Sequence, residues 1–211
     1  MNRQEIIKII RKEKLVAILR TKNQEIIELV LETVISEGIK VLEITSNTPG
    51  YLAAISKARK SYPDVLIGAG TVINTKIAEK VIQAGAQFLV TPNVNLEVIR
   101  VAHQNNIPVI MGALTPTEIC EAHENGADIV KLFPAGNLGI EYFNAIKGPL
   151  DNIHYFAVGG VEFSDARKWF DAGVEGIGYG CLMKNPENGA IDIEETRKIA
   201  RNYVKLVKEN S

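Results

Sequence analysis

A lysine interrupts a short apolar run in the middle of the chain. Lys131 stands in the segment 128–134, DIVKLFP, which is typical of a buried parallel strand. Burial disfavours an ammonium group and lowers its pKa, and an amine that is neutral near pH 7 attacks carbonyl carbons to form a Schiff base. The alternative is a lysine at a strand end whose charged group reaches water. The segment by itself is compatible with either interpretation.

A glutamate occupies a similar place in another apolar run. In the segment 41–45, VLEIT, the alternation of a strand puts Val41, Glu43 and Thr45 on one face. The same alternation puts Lys131 on one face of its own strand. If both faces point inward, a carboxylate and an amine meet at one end of the sheet. A structural ion pair is the alternative, but desolvation makes buried ion pairs a weak source of stability, so the pattern favours catalysis.

Glycines follow the last two apolar runs of the chain. Gly159 and Gly160 come after the run 154–158, and Gly178 and Gly180 flank a tyrosine at the end of the next run. Backbone N–H groups in such turns, together with a helix N-terminus, form phosphate sites. Ordinary turns are the alternative. The following helix is predicted to begin near Ser164, whose hydroxyl is a suitable cap.

An internal repeat indicates which elements position these residues. Four segments share a helix tail, a glycine suited to a left-handed C-terminal cap and a strand; the glycines are Gly38, Gly85, Gly126 and Gly173. With four further strand candidates between and before them, the chain has eight strands separated by helical patterns. The sequence predicts a (β/α)₈ TIM barrel as a single domain over 1–211, with a short helix at about 2–13. A doubly wound open sheet is the alternative, weakened because no Gly-x-Gly-x-x-Gly follows the first strand.

In such barrels the active site lies at the carboxyl ends of the strands. The residues expected there are an arginine, a glutamate, a lysine, several hydroxyls and many glycines, a set that suits a small anionic carbonyl compound. They are Arg20, Glu43, Thr45, Gly70, Thr71, Thr91, Pro92, Gly112, Lys131, Phe133, Gly159, Gly160, Gly178 and Gly180.

Composition excludes several other classes of function. The net charge is −1, so no electrostatic footprint for nucleic acid is expected. The amphipathic, charged N-terminus does not read as a signal peptide, no apolar run is long enough to span a bilayer, and two cysteines suggest no disulfide framework; we therefore expect a cytoplasmic protein that binds neither nucleic acid nor membrane. The three histidines lack metal-ligand spacing, which counts against a zinc-dependent aldolase, so no metal is expected.

Several motifs occur in an order that resembles a known family, from about Leu15 to about Asn185. The chain is similar to the 2-keto-3-deoxy-6-phosphogluconate (KDPG) and 4-hydroxy-2-oxoglutarate (KHG) aldolases. The motifs are LEIT at 42–45, GAGTV at 68–72, VTPN at 90–93, LTPTE at 114–118, KLFPA at 131–135 and VGGV at 158–161. The resemblance implies a class I lyase of carbohydrate metabolism and the Entner–Doudoroff pathway, usually a homotrimer.

The resemblance also implies roles for individual residues. Lys131 is implied to be the Schiff-base lysine and Glu43 the acid/base, with Thr71, Pro92 and Phe133 around the pyruvyl group. The glycines Gly159, Gly160, Gly178 and Gly180 are implied to hold phosphate.

Two positions depart from the family pattern. Asn47 stands where better-known bacterial members carry an arginine near the substrate carboxylate, and Gly180 stands where a serine is frequent. Arg20 is a candidate for the missing cation. Asn47-Thr-Pro also resembles relatives that cleave the phosphogalactonate epimer.

The expected reaction is therefore cleavage of KDPG to pyruvate and glyceraldehyde 3-phosphate, or of KHG to pyruvate and glyoxylate. Such a reaction is expected to need no metal and no organic cofactor. The alternatives are an aldolase for the phosphogalactonate epimer, another phosphate-binding barrel enzyme such as an epimerase or a phosphate synthase, or a non-catalytic sugar-phosphate binder, since a fold does not fix a function. Only an aldolase of this type requires Lys131 and Glu43 to face each other.

Overall fold

A computed structural model describes residues 1–183 and 190–209. Eight parallel strands pair in chain order, and β8 pairs with β1 to close the barrel. The predicted (β/α)₈ barrel is confirmed, and the open sheet is wrong. The strands are β1 (Leu15–Leu19), β2 (Val41–Thr45), β3 (Leu66–Gly70), β4 (Leu89–Val90), β5 (Val109–Ala113), β6 (Ile129–Leu132), β7 (Tyr155–Val158) and β8 (Gly176–Gly180).

Helices connect the strands and cover the outside of the barrel. They are α1 (Arg3–Glu13), α2 (Ile27–Ser36), α3 (Tyr51–Ser61), α4 (Thr75–Gln83), α5 (Leu96–Gln104), α6 (Pro116–Glu124), α7 (Ala135–Lys147), α8 (Phe163–Ala172) and α9 (Ile193–Glu209), with a short 3₁₀ turn at Gln24–Ile26. Within the two described ranges, no helix combines the length and the apolar character that crossing a bilayer would need.

Two apolar layers make the core, one inside the barrel and one between strands and helices. Helix α1 lies across the amino-terminal end of the barrel, where Ile6, Ile7 and Ile10 join the interior side chains. Asn2 starts this helix with a capping box to Glu5, which satisfies the first N–H groups. The barrel is thus closed at the end away from the candidate site.

The repeated glycine has the conformation that the sequence predicts. Gly38, Gly85, Gly126 and Gly173 have φ values of 102°, 96°, 90° and 98°, the left-handed region that a helix C-terminus favours. Each glycine lets the chain leave a helix and enter the next strand. The repeat therefore has a glycine at the same place each time.

The start of α8 agrees with the prediction to within one residue, but its cap does not. The helix begins at Phe163, with Glu162 as its N-cap and no side-chain hydrogen bond at the cap. Ser164 is inside the first turn, so the prediction that it caps the helix is wrong.

Candidate active site

A pocket of about 290 Å³ opens at the carboxyl ends of β1, β2, β6, β7 and β8. It brings together most of the predicted site residues and leaves out Asn47, Thr71 and Pro92. Its walls are formed by Ile18, Arg20, Glu43, Lys131, Phe133, Val158, Gly159, Gly160, Val161, Gly178, Tyr179, Gly180 and Leu182.

Lys131 points into the barrel because it shares the inward face of β6 with Ile129, which belongs to the interior cluster. Its side chain is buried, and Nζ lies 4.5 Å from the centre of the Phe133 ring. Burial lowers the pKa of Lys131, the nearby Glu43 carboxylate opposes this, and the Arg20 cation adds to it. The balance favours the neutral amine relative to a lysine in water.

Glu43 is buried on the inward face of β2. Its carboxyl group rests against Gly70 of β3, where an added Cβ would overlap Oε1 and Cδ. Burial raises the pKa of Glu43, while Lys131 and Arg20 act in the opposite direction. A glycine at position 70 is therefore needed for the carboxyl group to occupy this place.

Lys131 and Glu43 share the pocket without forming an ion pair. Among the residues that the structure describes, no hydrogen bond or ion pair joins their side chains, although each affects the pKa of the other. The structural ion pair that the sequence allowed is therefore not formed. The pKa values of the amine and of the carboxyl group both shift towards the neutral forms.

Arg20 follows β1 and reaches across the mouth of the barrel. Its Nη2 donates a hydrogen bond of 3.3 Å to Oγ1 of Thr71, which follows β3. Thr71 has φ 58°, a rare conformation for a β-branched residue. The N–H of Val72 donates to the carbonyl of Val90, and the N–H of Thr71 has no hydrogen-bond partner within the described chain. Thr71 thus presents a hydroxyl and a backbone donor next to a guanidinium group.

Asn47 and Pro92 lie beside the pocket rather than in its walls. Asn47 is exposed in the turn after β2 and lines a neighbouring cavity of about 560 Å³, which also includes Arg20 and Lys22. Pro92 follows β4, and its carbonyl packs so closely on Gly112 that a Cβ there would lie 2.7 Å from its oxygen. Because Gly112 pairs with Lys131 in the β5–β6 register, one strand, β5, separates Pro92 from Lys131.

The four predicted phosphate-binding glycines have different local roles. Gly159 and Gly160 have φ 85° and 73°, and a Cβ on Gly159 would lie 2.8 Å from the Phe133 ring. On β8, a Cβ on Gly178 would lie 2.8 Å from Val158, whereas Gly180 is exposed and faces open space. Gly159 and Gly178 are thus required by packing, and Gly180 is open to a ligand.

Sequence reasoning missed the apolar walls and one polar residue. Ile18 and Val158 come from strand ends, where alternation could have identified them, whereas Val161 and Leu182 follow strands. Ser46 was also missed: its Oγ donates a 2.7 Å hydrogen bond to the carbonyl of Thr71. No local pattern in the sequence indicates this long-range contact.

Comparison with known proteins adds to this geometry. A family model described as "KDPG and KHG aldolase" matches residues 6–201. The chain is 36% identical over 178 residues to the 2-dehydro-3-deoxy-6-phosphogalactonate aldolase of Escherichia coli K12, covering 83% of this chain and 85% of that one. It is 31% identical over 179 residues to the KHG/KDPG aldolase of the same organism, with 84% of each chain covered.

A solved structure has the same fold. The KDPG aldolase of Legionella pneumophila, described with pyruvate captured as a covalent carbinolamine intermediate, superposes with a TM-score of 0.79. It is 26% identical in sequence, and 97% of each chain is covered.

Proposed function

The chain belongs to the KDPG and KHG aldolase family and is a lyase, and from that premise we propose that it cleaves KDPG, KHG or both through a Schiff base on Lys131. The products would be pyruvate with glyceraldehyde 3-phosphate or with glyoxylate. The observation that carries the proposal is the buried Lys131 amine, whose pKa is lowered and which no ion pair occupies among the described residues. Such an amine is available for attack on a ketone.

The first half of the reaction uses Lys131 as nucleophile. The neutral amine attacks the C2 ketone of the 2-keto acid to give a carbinolamine, and loss of water gives an iminium ion. The Phe133 ring, 4.5 Å from Nζ, lies where it stabilises a cation at this nitrogen. The relative described with pyruvate as a carbinolamine supports this step, because that species is the adduct of a pyruvate ketone with an amine.

The second half uses Glu43 as acid and base. Glu43 takes the proton of the C4 hydroxyl, directly or through a water, as the C3–C4 bond breaks and its electrons move to the iminium nitrogen. The aldehyde leaves, and an enamine of pyruvate remains on Lys131. Glu43 then helps to protonate the enamine carbon, and hydrolysis of the iminium frees pyruvate. Positioned proton transfer of this kind contributes about 10²–10⁴-fold to the rate. No metal or organic cofactor has a role in this sequence.

We assign the two anionic ends of the substrate to two sides of the pocket. Arg20 and Thr71 supply donors for the keto-acid carboxylate, with Asn47 and Pro92 bordering that side. At the other side Gly159, Gly160, Gly178 and Gly180 line the pocket, and the first turn of α8 begins nearby with no side-chain cap. Uncapped N–H groups of a helix attract phosphate.

The alternatives from the sequence are not favoured. Membership in an aldolase family leaves a non-catalytic binder without support. A relative named for the phosphogalactonate epimer and one named KHG/KDPG aldolase both match this chain, at 36% and 31% identity, so neither name alone selects the substrate. We further propose a homotrimer in the cytoplasm that acts in the Entner–Doudoroff pathway.

Incubation with pyruvate and borohydride tests the proposal. A Schiff-base enzyme loses activity and gains a reduced pyruvyl adduct, whereas an epimerase, a synthase or a simple binder is not labelled. Cleavage rates for KDPG, its galactonate epimer and KHG then rank the substrates. An unlabelled protein would overturn the proposed chemistry, and a strong preference for the epimer would overturn the proposed substrate.

A further inference from the structure

The turn after β2 carries a hydroxyl group for which the proposed reaction has no use. Ser46 directly follows Thr45, and its backbone N–H donates a 2.8 Å hydrogen bond to the carbonyl of Gly70. Its Oγ donates a 2.7 Å hydrogen bond to the carbonyl of Thr71. One residue therefore holds two consecutive carbonyl groups at the end of β3.

These two carbonyls belong to the peptide segment that supports the polar side of the pocket. The Glu43 carboxyl group rests on Gly70, and the Thr71 hydroxyl accepts the Arg20 hydrogen bond. Thr71 also has φ 58°, which is costly for a β-branched residue and persists only where its surroundings fix it. Among the described residues, Ser46 supplies the side-chain hydrogen bond to the Thr71 backbone.

The left-handed conformation of Thr71 has a direct consequence for its donors. Because Val72 rather than Thr71 donates to the carbonyl of Val90, the Thr71 N–H is left out of the β3–β4 ladder. If Thr71 relaxed into the extended region, its N–H and its hydroxyl would both turn, and Arg20 would lose the oxygen to which it donates. The directions of the Thr71 N–H, the Thr71 hydroxyl and the Arg20 guanidinium therefore depend on the peptide to which Ser46 donates.

We propose that Ser46 is a positioning residue for the substrate carboxylate, acting through Thr71 and Arg20. This inference rests on the proposed function and adds to it a residue that contacts no substrate atom. Ser46 contributes one side-chain hydrogen bond to the turn, so its removal leaves the fold in place. What changes is the direction in which Thr71 and Arg20 present their donors to the substrate carboxylate.

The test compares Ser46→Ala, Ser46→Thr and a matched control, Ser36→Ala. Ser36 lies in α2, outside the barrel, and its hydroxyl likewise donates to a backbone carbonyl, that of Thr33, at 2.8 Å. Two quantities are measured in each protein: the pyruvate concentration that gives half-maximal borohydride trapping, and the amide exchange rate of Val72. The second measurement reports on the turn without any need for catalysis.

Ser46→Ala should raise the half-maximal pyruvate concentration about five- to twenty-fold, as expected for the loss of one or two directed hydrogen bonds. It should also speed exchange at Val72 several-fold, while kcat for cleavage changes less than about three-fold because Lys131 and Glu43 keep their places. Ser46→Thr should restore both values, and Ser36→Ala should leave both unchanged.

Faster exchange at Val72 with an unchanged pyruvate requirement would make Ser46 merely structural and would overturn the inference. Unchanged exchange together with an unchanged requirement would overturn it as well. If the wild-type protein is not trapped by pyruvate at all, the proposed function fails, and the positioning role falls with it. A trapped wild type beside an indistinguishable Ser46→Ala variant refutes the positioning role alone.

Discussion

Each end of the barrel buries a carboxyl group, and the two groups differ in their hydrogen-bond partners. At the amino-terminal end, the side chain of Asp128, just before β6, is only 4% exposed. It accepts hydrogen bonds from Arg3 Nε at 2.7 Å and from the Val109 N–H at 2.9 Å, and His103 Nε2 lies 3.1 Å from its carboxylate. These contacts tie α1 and α5 to the closed end of the barrel. A buried charge with this many partners recovers much of its desolvation cost.

At the carboxyl end, the buried pair is left uncompensated. Glu43 and Lys131 have no hydrogen bond or ion pair in the part of the chain that the structure describes, and burial shifts the pKa of each towards neutrality. Groups in this state are costly for stability and ready for proton transfer and attack. Buried ionisable groups therefore have hydrogen-bond partners at the closed end of the barrel and lack them, among the described residues, at the open end.

The largest effect is expected from Lys131→Met, which removes the nucleophile and keeps an apolar side chain of similar length. Cleavage and borohydride trapping should both fall by more than about 10³-fold. The melting temperature should not fall, because a poorly compensated amine has been removed from the core. Substantial trapping on another lysine would show that the open end does not owe its chemistry to Lys131.

Glu43→Gln separates attack from proton transfer at the same end of the barrel. The amide keeps the shape of the side chain and loses the base, so pyruvate should still be trapped, and cleavage should slow by at least about 10²-fold. Single-turnover cleavage with a trapping assay on the same sample measures both steps. Turnover near that of the wild type would mean that another group moves the proton.

Asp128→Asn should have the opposite profile, since it acts at the closed end. Loss of the charge-assisted hydrogen bonds should lower the free energy of unfolding by about 2–3 kcal/mol in urea denaturation, with kcat of the folded protein unchanged. Glu97→Gln is the matched control, because its partner Arg100 is exposed on α5 and such surface pairs contribute about 0–1 kcal/mol. If Asp128→Asn lost activity and kept its stability, the account of Asp128 as a structural residue would be contradicted.

Arg20→Ala is expected to have the smallest effect of the four substitutions, because this residue is exposed at the mouth. We expect KM for keto-acid substrates to rise about ten-fold, which corresponds to one charge-assisted hydrogen bond. An equal rise for KDPG and KHG assigns Arg20 to the carboxylate, and a rise for KDPG alone assigns it to the phosphate. With no rise for either, Arg20 would have no part in anion binding.

The barrel and the inward faces of β2 and β6 could be predicted from the sequence because both depend on local patterns. Four glycines at equivalent places repeat the step from helix to strand, and a strand's alternation puts Glu43 and Lys131 on one side. These signals use neighbours that are close in the sequence. The repeated glycines and the strand alternation can therefore be recognised without knowledge of the fold.

The remaining features depend on contacts between distant segments. The left-handed conformation of Thr71 is held by Ser46, and the closeness of Glu43 to Gly70 follows from the β2–β3 register. The absence of an ion pair between Glu43 and Lys131 depends on strand positions around a closed barrel, which alternation alone does not give. The cap of α8 is Glu162 rather than Ser164, and its side chain makes no cap hydrogen bond, so no capping pattern in the sequence marks it.

The pH dependence of trapping by pyruvate tests most directly whether the buried Lys131 amine is the nucleophile. Burial lowers the pKa of Lys131 below the ordinary lysine value of 10.5. The rate of trapping should therefore rise with pH and reach a plateau, and the midpoint of the rise should lie below that value. The Glu43 carboxylate raises this pKa and the Arg20 cation lowers it, so Glu43→Gln should move the midpoint down and Arg20→Ala should move it up. A midpoint at the value of a free lysine, unmoved by either substitution, would contradict the account.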